Sequence, residues 1–305
     1  MALKLINGTN RLKLGWVLAG WILLSVLLFA SPLRALLQLS FSSDDLSYLP
    51  LIPFLAAAVL LIERRDVPLK PSCDAVVGSC FLLLAGLIAL LSHFSSATSS
   101  NDLQLSGYIL SLVLFWISGF ALLYGRKALK AGQFPFLFLL LVLPIPEFLL
   151  GRSIYILQSG SAWVTAMFFD LLQVPFLRDG FVFHLARVDI EVAKECSGIR
   201  SSMALLILAL LIAHFHLKSL PAKVIFVVFG LFIMIVKNGV RIATLTLLAT
   251  YVDPSFLFGR LHQQGGVVFF LLGLLLLLPL LVLLRCAESR SRGKQVGQTS
   301  CESAV

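Results

Sequence analysis

The sequence predicts an all-α fold, a polytopic transmembrane helical bundle, on three observations. Hydrophobic residues make up 59% of the 305 and charged residues only 13%, against roughly a quarter charged in an ordinary soluble domain. The apolar residues come in runs approaching the roughly 20 that a helix needs to cross a bilayer core. Lysine and arginine fall in short clusters between those runs, which is how a membrane protein is oriented. That clustering also argues against a nucleic-acid partner, which a net charge of +9 would otherwise suggest, because the basic residues gather on no single face.

Eight runs are read as spanning helices: 14–30, 48–62, 75–94, 103–125, 134–150, 199–216, 224–252 and 266–284. Lys4, Arg11 and Lys13 precede the first and place the N-terminus inside. That run is longer than a usual signal-peptide core and is read as a retained anchor. The loop with Asp44 and Asp45 is then outside, Arg64, Arg65 and Lys70 inside, the serine-rich 95–102 outside, and Arg126, Lys127 and Lys130 inside. From the other end, Arg285, Arg290, Arg292 and Lys294 place the tail in the cytoplasm, together with the 218–223 turn.

Both ends agree only if an even number of helices crosses. Residues 153–176, which carry Gln158, Ser159, Ser161, Asp170 and Gln173, are therefore assigned to the outer interface. Alternation in "FVFHLARVDIEV" predicts a short extracytoplasmic hairpin within 177–196. The result is one integral membrane domain over 1–305. It comprises five helices over 14–150, an extracytoplasmic and interfacial segment over 151–198, a three-helix unit over 199–284 and a cytoplasmic tail over 285–305. The polar composition of the tail predicts no packed structure.

Three polar positions converge in this topology. Cys196 stands at the outer end of the sixth run, in "KECSGIRSS". Lys237, Asn238 and Arg241 interrupt the seventh, and ionisable residues inside a membrane helix are costly enough to mark function. Counted from a cytoplasmic start at 224, Arg241 lies about 25 Å along the helix, in the outer leaflet. His262 stands at the outer entrance of the eighth run, so Cys196, Arg241 and His262 share one expected layer.

That set suffices for acyl transfer. The thiolate is the attacking form of cysteine, and a neighbouring guanidinium or imidazolium favours it. An imidazole can pass a proton to the leaving group, and a guanidinium can hold the oxyanion of a tetrahedral intermediate. Taken singly, each residue has an ordinary reading: a buried cysteine is a small hydrophobe, an arginine near a helix end snorkels, and a histidine at a helix start is a boundary residue. Convergence at one depth is what favours chemistry. Arg200, one turn after Cys196, reads equally as a substrate contact or as a charge at a helix start.

Other candidates carry less. His214 and His216 sit at the inner end of the sixth run without further ligands, and Cys73, Cys80, Cys286 and Cys301 have no zinc or disulfide spacing. Zinc, nucleotide and flavin motifs are absent, so no metal and no cofactor is expected.

These residues resemble the exosortase and archaeosortase family of membrane-embedded cysteine transpeptidases. The first block is Cys196, Ser197, Gly198, Ile199, Arg200 and Ser201; the second Asn238, Arg241 and Ile242; the third His262 and Gly266. The "LPIPEF" stretch with Pro144 and Pro146 is similar to a proline pair of the family, and the resemblance runs from about residue 48 to 284. It implies Cys196 as nucleophile, His262 as acid and base, and Arg241 as stabiliser of thiolate or oxyanion, with Ser197, Gly198, Arg200, Asn238 and Gly266 supporting or binding substrate. It implies as partners the bilayer and exported proteins bearing a C-terminal motif, often Pro-Glu-Pro, a transmembrane helix and a basic cluster. It implies as location the cytoplasmic membrane, with the active site on the extracytoplasmic, periplasmic face. Two rivals use the same residues: a non-enzymatic membrane component of polysaccharide or protein export, with Lys237 and Arg241 binding an anionic lipid-linked sugar, and a small-molecule transporter, with Arg241 as counter-charge. A transporter would more naturally show internal repeats and helices broken at mid-membrane.

Overall fold

The computed structural model describes residues 2–65, 67, 72, 74–94, 101–192, 199–257 and 266–302, without side chains at 2–14, 44, 101, 254, 257 and 291–302. The chain forms two compact units, Met1–Leu149 and Leu150–Val305.

The first unit contains α1 (Ala2–Leu28), α2 (Ala30–Ser42), α3 (Leu51–Ile62), α4 (Ala75–Phe94), α5 (Asn101–Ala131) and the short α6 (Gln133–Phe138). Its interior is stitched by side chains that satisfy their own polar atoms, as a lipid surround demands. Trp21 of α1 stacks on Phe115 of α5 at 4.5 Å and donates its indole N–H to the Phe115 carbonyl at 2.9 Å. Gly119 makes room, since a Cβ there would lie 2.3 Å from the indole nitrogen. Ser111 and Ser118 of α5 donate to the Ala85 and Gly78 carbonyls of α4 at 2.7 and 2.9 Å. Gly125 breaks α5 with φ +78, a conformation that an L side chain resists.

In the second unit, α7 (Glu147–Leu171) leads into a three-stranded antiparallel sheet in the order β1-β2-β3: β1 (Phe176–Asp179), β2 (Val182–Leu185) and β3 (Asp189–Glu191). The two-residue turn between β1 and β2 places Gly180 at φ +59, as tight hairpins require. The expected hairpin thus gains a third strand. Phe183 of the sheet, Phe169 of α7 and Ile242 and Ala243 of the next long helix share one apolar cluster.

A second cluster joins α8 (Ile199–His216), α9 (Leu220–Tyr251) and α10 (Gly266–Glu302). Leu205, Phe226, Ile233, Met234 and Leu277 fill it, with Ala209, Ala213 and Ala222 between them. Such small residues matter because helices within a bilayer associate by close packing rather than by escape from water.

Among the described residues, five helical stretches are long and apolar enough to cross a membrane: Ala75–Phe94, Asp102–Ala131, Ile199–His216, Leu220–Tyr251 and Gly266–Arg290. Two bent pairs raise the number to seven if each is one span, with breaks of 76° between Gly15–Leu28 and Ala30–Ser42 and of 94° between Gln133–Val142 and Glu147–Leu171. The all-α polytopic fold therefore stands, with three of the eight expected runs differing: run 14–30 passes only as one limb of the first bent pair, and two others are recut. Run 48–62 yields only the 12 residues of α3, about 18 Å of helix against a core of about 30 Å. Run 134–150 breaks at Leu143, which is extended at ψ 124 immediately before Pro144. Proline lacks the N–H that would continue the helix and disfavours helical geometry in the residue before it. Residues 147–152 consequently join the segment expected at the interface, and together they form α7.

The tail also differs from expectation, because α10 continues as one helix to Glu302. Glu288 gives it a tertiary role: its carboxylate accepts from the Lys218 and Ser219 backbone N–H groups at 3.1 and 2.7 Å and from Ser219 Oγ at 2.6 Å. It caps α9 from outside, where unsatisfied N–H groups and the positive end of the helix dipole favour an anion.

Candidate active site

Between the two apolar clusters of the second unit lies a polar layer, built mainly on one turn of α9. Ile233 and Met234 below belong to one cluster, Ile242 and Ala243 above to the other. Lys237, Asn238 and Arg241 fall in between. A bilayer provides no water to satisfy such groups, so each must find a partner within the protein.

Asn238 is buried and donates from Nδ2 to Ser161 Oγ of α7 at 3.0 Å. Next to it, the Gly239 carbonyl accepts from Thr165 Oγ1 at 3.2 Å. Gly239 allows this crossing: a Cβ there would stand 2.5 Å from Val164 Cγ1 and 3.0 Å from the Ser161 carbonyl oxygen. Asn238, a residue of the second sequence block, thus fastens α7 to α9.

Lys237 is the most enclosed charge among the described residues, at 2% exposure. Its ammonium donates to Ser201 Oγ in the first turns of α8. Its stem runs past Gly273 of α10, where an added Cβ would lie 3.6 Å from Lys237 Cδ and 3.3 Å from Leu205 Cδ2. Three helices therefore meet at this side chain. Arg241, half-buried one turn further along α9, places a like charge within electrostatic reach of it.

The other site residues expected from sequence divide into two groups. Cys196, Ser197, Gly198 and His262 lie outside the described residues. Arg200 is exposed in the first turn of α8, and Gly266 opens α10 with no atom within 4 Å of the place a Cβ would occupy. Ser201 and the Asn238–Arg241 block are drawn together through Lys237. His184 of β2 pairs with Asp189 of β3 at 3.0 Å, and the His216 ring faces the Ile212 carbonyl at 3.2 Å. Among the described residues no group of three His, Cys, Asp or Glu side chains is placed to hold a metal.

Sequence reasoning missed Ser161, Thr165 and Ser201 as structural partners. Ser161 carried a signal, a small hydroxyl in an apolar helix, whereas nothing in the chain order pairs Ser201 with Lys237. Ser202 was missed too; it is 2% exposed, and its Oγ has no hydrogen-bond partner among the described residues.

The fold and this layer define a multi-pass integral membrane protein with ionisable side chains held inside its helical bundle. The family described as Transmembrane exosortase (Exosortase_EpsH) matches residues 39–279, a span that includes all three sequence blocks, and the chain belongs to that family. No curated protein and no solved structure matches it.

Proposed function

We propose that the protein is a cysteine transpeptidase of the cytoplasmic membrane that cleaves C-terminal sorting signals of exported proteins on the extracytoplasmic face. The observation that carries this reading is the Lys237–Ser201 contact in a chain of this family. Ser201 is the last residue of the Cys196 block and Lys237 lies one turn before Arg241 on α9, which supports reading the two blocks as one site.

In the proposed reaction the Cys196 thiolate attacks the scissile carbonyl carbon, and the resulting oxyanion is held by the Arg241 guanidinium. Collapse expels the amine, which takes a proton from the His262 imidazolium and leaves a thioester on Cys196. An acceptor nucleophile then attacks the thioester, giving up its proton to His262 and releasing the Cys196 thiolate, which restores the starting ion pair. A substrate with a transmembrane helix, a basic inner end and a motif at the outer leaflet would present its scissile bond at the depth expected for Cys196.

The test is a mass-spectrometric survey of the C-termini of exported proteins in cells carrying the intact chain or Cys196→Ala. Proteins that keep a C-terminal helix and basic tail only in the variant support the reading and identify the substrates. Identical C-termini at equal protein level overturn it in favour of a non-enzymatic export component, which would tolerate Cys196→Ala and remain sensitive at Arg241.

A further inference from the structure

The geometry points to a lipid site in the first unit: a lateral groove between the bent α1–α2 pair and α4–α5 that holds one outer-leaflet phospholipid whose headgroup carries a primary ammonium. The site stands independently of the transpeptidase reading.

The groove follows from how the helices lean. Trp21 and Phe29 pack on Phe115 of α5 at ring separations of 4.5 and 6.2 Å. The chain then bends by 76° between Gly15–Leu28 and Ala30–Ser42, so α2 packs on α5 and stands off α4. Across the gap, Ala85, Gly86 and Ala89 give α4 a floor of small side chains, and a Cβ at Gly86 would have no atom within 4 Å. The space measures about 1180 Å³, above the roughly 300–1,000 Å³ that takes a drug-sized ligand. A helix 10–12 Å wide would need roughly 1,600–2,300 Å³ for every 20 Å of its length, so a partner helix does not fit. Acyl chains do fit, and water does not fill an apolar depth.

Length and polarity match one leaflet. The contact of Phe29 with Phe115 marks the apolar end. From it α2 runs 13 residues on to Ser42, and α5 runs 13 residues back to Asp102. Each stretch is about 20 Å of helix, close to half of the roughly 40–45 Å bilayer with its headgroups. The charged and amide side chains that line the groove, Gln38, Asp102 and Gln104, stand toward those far ends. Asp102 opens α5 at the end opposite Arg126, Lys127 and Lys130, which is the outer end by the excess of basic residues on cytoplasmic loops.

These polar groups select the headgroup. Asp102 and Gln104 are half-buried, and among the described residues neither the Asp102 carboxylate nor the Gln38 and Gln104 amides have a hydrogen-bond or ion-pair partner. Polar groups drawn into apolar surroundings require one. A primary ammonium donates to Asp102, and the two amides donate to phosphate oxygens. Arg34, one turn before Gln38, lines an adjoining hollow that shares Gln38 and Ser42 with the groove, and it adds a cation for the phosphate. A choline headgroup has no N–H to donate, and a glycerol headgroup leaves the lipid anionic beside Asp102.

The experiment titrates the full chain in detergent micelles with phosphatidylethanolamine, phosphatidylcholine or phosphatidylglycerol of identical acyl chains. Native mass spectrometry reads the first lipid retained, and thermal unfolding with each lipid is the second readout. Phosphatidylethanolamine is expected to bind about tenfold more tightly than the other two and to raise the unfolding temperature most. Asp102→Asn should bring that preference close to unity, as loss of a charge-assisted hydrogen bond requires. Gly86→Phe, whose ring enters open space, should remove tight binding of all three lipids while the lipid-free chain unfolds at an unchanged temperature; Gly86→Leu serves if the Phe variant does not accumulate. Equal retention of the three lipids by the intact chain, or retention unchanged when position 86 is filled, marks unspecific annular lipid and overturns the proposal. A preference that survives Asp102→Asn overturns it too, as does displacement of the lipid by a polyleucine transmembrane peptide, which would assign the groove to a helix.

Discussion

Asn238 of α9 and Ser161 of α7 meet at 3.0 Å, both buried, beside a glycine that lets the two helices close. The contact fixes the rotation of α9 at the turn that carries Lys237 and Arg241. Asn238 belongs to the second sequence block, and the contact joins that block to α7.

Breaking this contact should cost stability cooperatively. Ser161→Ala and Asn238→Ala are each expected to lose about 1–3 kcal/mol, because each strands a buried polar partner. The double variant should lose less than the sum, with a coupling of about 1 kcal/mol. Reversible unfolding in mixed micelles measures all three, and strictly additive losses would show that the side chains do not interact.

The close approach at Gly239 makes a steric expectation. Gly239→Ala should destabilise by about 1–3 kcal/mol, the usual cost of overpacking, because its Cβ meets Val164 and the Ser161 backbone. Combining it with Val164→Ala should recover part of the loss. Gly266→Ala, with open space around it, serves as the neutral control in the same assay.

Glu288 should govern the start of α9 without affecting the rest of the bundle. Glu288→Ala removes three acceptor contacts at Lys218 and Ser219, an exposed cap worth about 0.5–1 kcal/mol. Hydrogen exchange at those two amides should accelerate several-fold while that of the α8–α9 core is unchanged. Acceleration spread evenly over α9 would instead mean global destabilisation.

The proposed chemistry separates the three reactive positions. Cys196→Ala should abolish processing of any substrate found in the C-terminal survey. His262→Ala should slow it about 10²–10⁴-fold, the range for loss of a general acid and base. Arg241→Lys keeps a charge but loses the planar guanidinium, and a slowing of about 10²-fold is expected for a weakened oxyanion contact. Quantitative mass spectrometry of cleaved and uncleaved termini reads all three. Full activity in Arg241→Lys would reduce that residue to a general source of positive charge.

What the sequence determined by itself was the class of fold and the position of its unusual residues. A bilayer demands long apolar helices with satisfied backbones, so the chain displays most of its crossings as runs, and Lys237, Asn238 and Arg241 stand out because they interrupt one. The prolines at 144 and 146 were visible too, but the recutting of 134–150 and 153–176 into a break followed by α7 required knowing which of two adjoining apolar segments would keep residues 147–152. Only the tertiary structure decided that Lys237 reaches Ser201, that Asn238 reaches Ser161 and that Glu288 caps α9. Within a membrane bundle, lipid-facing and helix-facing positions are both apolar, so the pattern along the chain does not record how each helix is turned. That rotation is set by packing at small residues such as Gly239 and Gly273, and it chooses which polar side chains meet.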